Sequence, residues 1–108
     1  MTLTRDFRMT VQHRTGHDPA FRHAMLKEGV DALLAGDVPA GKAILRDYIN
    51  AAVGFGPLAE ATNIPAKSLM RMLGPRGNPR ADNLFQIISQ LQAHEGIRLG
   101  VGEEVSAR

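Results

Sequence analysis

Lys67, Arg71, Arg76 and Arg80 are the residues whose type and spacing point most clearly to chemistry, and that chemistry is phosphate binding. They lie between Glu60 and Asp82, a stretch with no acid in it. The chain as a whole is close to balanced, with 13 Lys and Arg against 11 Asp and Glu. Protein surfaces usually intersperse the two signs. A patch of one sign attracts phosphate, and such binding weakens as salt rises. Charge alone fits a solvated basic face as well as a nucleic-acid contact. What decides between them is the framework that holds these side chains.

Other constellations are weaker. Gly36 to Lys42 has the spacing GxxxxGK of a phosphate-binding loop. Yet Ala43 stands where a magnesium-binding hydroxyl is needed, no strand precedes the motif, and Pro39 removes a backbone donor. Gly36 and Asp37 read better as a helix stop followed by a helix cap. His13 and His17 are four residues apart, with His23 six further on, and a helix would place the first two on one face as metal ligands can be. Gly16 weakens a helix there and no carboxylate completes a metalloprotease pattern, so solvated histidines are the preferred reading. Cysteine is absent, which excludes a disulfide scaffold, a cysteine zinc finger and a thiol nucleophile. Asp31, Asp37 and Asp47 form no recognisable acid–base pair, and Ser68 has no base at a motif spacing. The expectation is a non-enzyme with no metal, cofactor or catalytic residue.

The elements that must position the basic residues read as all-α, with five or six helices. At 108 residues, 44% hydrophobic and 22% charged, the chain suits one globular domain. Aromatics reach only 5% and two-residue alternation is scarce, which argues against strands. Residues 1–17 are expected to form a flexible segment, with a short helix over Thr4–His13. Asp18 caps the next helix, with Pro19 at its first position. Phe21, Met25, Val30, Leu33 and Leu34 form its apolar stripe, and Met25, Leu33 and Leu34 are assigned to the core. Gly36 ends that helix and Asp37 caps a long one. Ile44, Leu45, Tyr48, Ile49, Ala52 and Val53 mark the buried face of the long helix as far as Gly54 or Gly56. Two short helices follow, Pro57–Thr62 and Ala66–Leu73, around a turn at Asn63-Ile64-Pro65. Residues 74–79 form a Gly- and Pro-rich loop. Leu84, Ile87, Ile88 and Leu91 mark a final helix closing near Gly96. Ile97–Val101 alternates weakly, as a short strand able to pair with another chain would. The domain is therefore placed at 18–99, with a flexible tail at 100–108. No apolar run approaches the roughly 18 residues of a membrane span, and the first residues lack the apolar centre of a secretory signal. A cytoplasmic protein without membrane contact is expected.

The segment Phe55–Leu73 meets several demands of a helix-turn-helix together. Ala59 is small where the two helices cross. Asn63 tolerates left-handed backbone in the turn, where glycine is more usual. Leu58, Ile64, Leu69 and Met72 are apolar where the pair must lock. In such motifs the second helix enters the major groove of DNA. With Leu69 and Met72 inward, Ala66, Lys67, Met70 and Arg71 face outward. Lys67 and Ser68 suit phosphates or base edges, and Arg71 suits bidentate contact with guanine. Met70 suits a thymine methyl, packing against Arg76, or a dimer interface. Arg76 and Arg80 suit phosphates, which position a protein without specifying sequence. Asn78 serves either a phosphate or the turn itself.

The run from Gly36 to Leu99 resembles the small helix-turn-helix antitoxins, or addiction-module antidote proteins, relatives of HigA-type and phage-repressor-like regulators. The shared pieces are Gly36-Asp37, Leu58-Ala59 with Thr62, Ser68-Leu69 with Met72-Leu73, then Gly77-Asn78-Pro79 and a helix closing on Gly96-Ile97-Arg98-Leu99. The resemblance implies a lambda-repressor-like domain with an extra N-terminal helix. It further implies a homodimer on a palindromic operator that represses its own operon, and a RelE- or HigB-like toxin as partner. A stand-alone regulator, or a module that chiefly sequesters the toxin, are the alternatives.

Overall fold

The computed structural model describes residues 17–106, so His13 and the helix expected at Thr4–His13 lie outside the described residues. The described chain is all-helical, with no strand. Its helices are α1 (Pro19–Leu34), α2 (Val38–Tyr48), α3 (Phe55–Thr62), α4 (Ala66–Met72) and α5 (Ala81–Glu95). Among the described residues no helix is long and apolar enough to cross a membrane.

Local chemistry sets the helix ends as the sequence indicates. The Asp18 carboxylate accepts from the Phe21 N–H at 3.2 Å, and Asp37 accepts from the Ala40 N–H at 3.2 Å. Both satisfy first-turn donors that have no partner within the helix. Gly36 and Gly96 stop α1 and α5 in left-handed backbone, with φ of 86° and 68°. The long helix expected from Asp37 instead loosens at its end. Ile49–Val53 forms a π-helical turn, closed by the Gly54 N–H on the Ile49 carbonyl at 2.6 Å.

Helices α1 and α2 pack as a close hairpin because glycine lies at their crossing. A Cβ on Gly41 would stand 2.6 Å from Leu33 Cδ2, and one on Gly29 would stand 3.0 Å from Leu45 Cδ2. Counting only apolar residues misplaces the buried face of α1. Leu26 is fully buried beside Gly29, whereas Leu34, expected in the core, is 61% exposed. Leu33 and Met25 pack against the core's edge. The core joins Leu26, Leu45, Tyr48 and Ile49 to Phe55, Leu58, Leu69 and Leu73, with Ile87, Ile88 and Leu91 of α5. Ile97–Val101 is not a strand. The Ile97 N–H reaches the Gln92 carbonyl and the Leu99 N–H reaches the Gln92 side chain at 2.7 Å, so the segment folds back on α5.

A buried carboxylate ties the frame together. Glu95 ends α5, where the helix dipole disfavours a negative charge, and its side chain is only 2% exposed. Arg22 of α1 donates to it through Nε at 3.0 Å, His23 stands at 3.2 Å, and the Tyr48 hydroxyl of α2 donates as well. His23 thus partners Glu95 while 37% of its side chain stays in solvent. Burial pushes the Glu95 carboxyl up, but the Tyr48 hydroxyl, Arg22 and His23 outweigh it and hold it below its ordinary 4.5. Burial, reinforced by Glu95, drives the Tyr48 hydroxyl well above its ordinary 10, so it remains a donor.

A carboxyl lowered by folding adds stability above its unfolded value, and that stability is lost as pH falls through the folded value. Glu95→Gln is therefore expected to cost about 2 kcal/mol at neutral pH, the scale of hydrogen bonds to a charged group. Denaturant melts across pH check this. The gap between the two chains should close as pH drops below 4.5. A gap that stayed constant would contradict the role given to the charge.

Candidate nucleic-acid interface

The pair α3 and α4 is set by its turn. Asn63 takes left-handed backbone, φ 59° and ψ 30°, as a short polar side chain allows. Thr62 is buried; its hydroxyl donates to the Leu58 carbonyl at 2.8 Å and accepts from the Ile64 N–H at 3.3 Å. The Thr62 carbonyl in turn accepts from Gln86 of α5 at 2.9 Å, fixing the turn to the last helix. Helix α3 begins at Phe55, two residues before the expected start, because Gly54 (φ 90°) redirects the chain there. Pro57 then occupies the first turn, where a missing N–H is harmless.

Helix α4 divides into two faces. Leu69 is buried and Met72 packs against the core, as expected. Ala66, expected to face outward, packs inward as well, since its small side chain lets the helix start lie close to the core. Lys67, Met70 and Arg71 are exposed at helical spacing, and Met70 keeps 48% of its surface in solvent. Ser68 is half-buried and its hydroxyl accepts from Arg71 at 3.4 Å.

Past α4 the chain turns back on the helix end. A Cβ on Gly77 would lie 2.1 Å from the Arg71 carbonyl oxygen and 2.4 Å from that of Met72. Only glycine permits this approach. The Gly77 N–H donates to the Gly74 carbonyl at 3.0 Å. Arg76, Asn78 and Arg80 are exposed on the loop. Arg80 lies 3.4 Å from Asp82, so the acid that closes the basic window offsets its last cation.

The structure brings in Arg46, which the sequence did not single out, and Lys42, which the sequence marked only as the lysine of the GxxxxGK spacing. Lys42 of α2 is 5% exposed, and its ammonium donates to the carbonyls of Gly74 at 3.0 Å and Gly77 at 2.6 Å. Arg46 donates to the Leu73 carbonyl at 2.9 Å. The lysine of the GxxxxGK spacing is therefore engaged by protein carbonyls, and its glycines act as a helix stop and a helix crossing. Lys42, Leu45 and Ile49 follow one helical stripe, so a lysine in phase with core residues was the available signal. Among the described residues, no cluster of three or more His, Asp or Glu could hold a metal ion.

Compared with known proteins, the chain matches no family model, no curated protein and no solved structure.

The close approach at Gly77 gives a direct test. Gly77→Ala must push the loop off two backbone carbonyls, and should destabilise the chain by about 1–3 kcal/mol, the usual scale of overpacking. Gly56→Ala, where a Cβ meets nothing within 4 Å, is the matched control and should stay close to the parent. Thermal melts of both read the difference.

Proposed function

We propose that this protein is a sequence-specific DNA-binding transcriptional regulator built on a phage-repressor-like helix-turn-helix. The observation that carries the reading is the placement of Lys67, Met70 and Arg71 on the solvent face of α4, adjoining a loop that exposes Arg76, Asn78 and Arg80. A helix buried by Leu69 on one side and basic on the other suits insertion into the major groove. Arg71, in the last turn of that helix, reads a base edge with both arms of its guanidinium, and Met70 beside it meets a thymine methyl. Lys67, Ser68, Arg76, Asn78 and Arg80 contact the phosphates and fix register. Ala66 supports the helix from its inner side.

A homodimer places two such helices about 34 Å apart on a palindromic operator. The resemblance to addiction-module antidotes extends the reading to an autorepressing antitoxin that neutralises a RelE- or HigB-like toxin. No cofactor enters this account.

The division of labour between base and phosphate is testable. If Lys67, Arg76 and Arg80 of each protomer neutralise one phosphate, the log–log salt slope of a dimer is about −5. Arg71→Ala should relax preference at one base pair per half-site, removing about 1–3 kcal/mol of discrimination. Arg80→Ala should weaken operator and scrambled DNA by one common factor and make the slope shallower. Both variants losing affinity equally on every sequence would contradict the assignment.

A further inference from the structure

We infer that Lys42 and Arg46 are positioning residues for the DNA contact, holding the loop so that Arg76 and Arg80 meet phosphates while Arg71 reads a base. This rests on the DNA-binding reading above. A buried ammonium must be surrounded by acceptors. Lys42 finds them in the carbonyls of Gly74 and Gly77, and Arg46 holds the carbonyl of Leu73. These anchors fall where α4 passes into the loop. Pro75 and Pro79 fix their own φ angles, but Gly74 and Gly77 are the freest residues in the chain's repertoire. Without their anchors the two glycines would let Arg76 sample many positions and loosen the approach to Arg80, whose carbonyl is held at the start of α5 by the Leu84 N–H at 2.9 Å. With them, the loop is seated on α2, a helix bound to α1 and the core. Lys42 itself is buried and cannot reach a duplex phosphate. Its effect on binding must therefore pass through the loop.

Arg71 stands before the anchors, on a helix already held by Leu69 and Leu73. Loosening the anchors should thus spare base discrimination and weaken phosphate contact. That pattern separates positioning from a general loss of stability, which would act the same in any background.

The test uses the full chain with Lys42→Met, which keeps the stem and removes the charge. Fluorescence anisotropy is read on the DNA upstream of its own gene and on scrambled DNA at low salt. It is repeated in an Arg76→Ala/Arg80→Ala background. Lys42→Met should weaken both DNAs by about tenfold, leave their ratio unchanged, and add nothing in the doubly substituted background. Amide exchange at Gly74 and Gly77 should quicken while Leu45 and Leu91 hold. Unchanged affinity, or the full tenfold loss again without Arg76 and Arg80, overturns the inference while the DNA reading stands. If the unsubstituted chain prefers neither DNA and binds neither, both fall together. Should Lys42→Met not fold, Arg46→Met releases the Leu73 carbonyl alone, and the same lack of added loss is required.

Discussion

The Glu95 carboxylate can be buried only because two helices converge on the end of a third to partner it. Arg22 and His23 come from α1, Tyr48 from α2, and Glu95 itself from the end of α5. An unpartnered carboxylate in that position would cost several kcal/mol. The cluster therefore fixes the approach of α1 and α2 to α5. Glycine at the α1–α2 crossing and the leucines and isoleucines beneath complete the frame. The rest of the molecule is mounted on it.

What is mounted is a small, outward-facing basic unit. Helix α4 has only seven residues, too short to be stable by itself, and is held by tertiary contact. Thr62 and Gln86 fix its entry through the Asn63 turn, and Lys42 and Arg46 fix its exit. Leu69 pins its centre. Such support places the backbones of the exposed charged residues firmly. Under the proposed reading, a surface that meets the repeat of a duplex benefits from that rigidity.

The parts legible in the sequence are those governed by neighbours along the chain. Asp18 and Asp37 as caps, Gly36 and Gly96 as stops, and Asn63 in a left-handed turn all depend on residues within a few positions. The outward places of Lys67, Met70 and Arg71 follow from the helical period around Leu69. The parts that were not legible depend on partners far along the chain. Lys42 meets Gly77 across 35 positions, and Arg22 meets Glu95 across 73. Gly29 occupies a core position without an apolar side chain, which displaces the stripe of α1 and leaves Leu34 outside. Ala66 packs inward because it stands three positions before Leu69 and seven before Leu73 on one helical face, a placement that the helical period itself carries.

The central claim is that the exposed face of α4 reads a DNA sequence. The most direct measurement is fluorescence anisotropy of the intact protein on the DNA upstream of its own gene, against scrambled DNA of equal length, over a range of salt. The account predicts binding to the upstream DNA tighter by about 10³-fold or more, with both affinities falling steeply as salt rises. Weak and equal binding to the two DNAs at every salt concentration would contradict it.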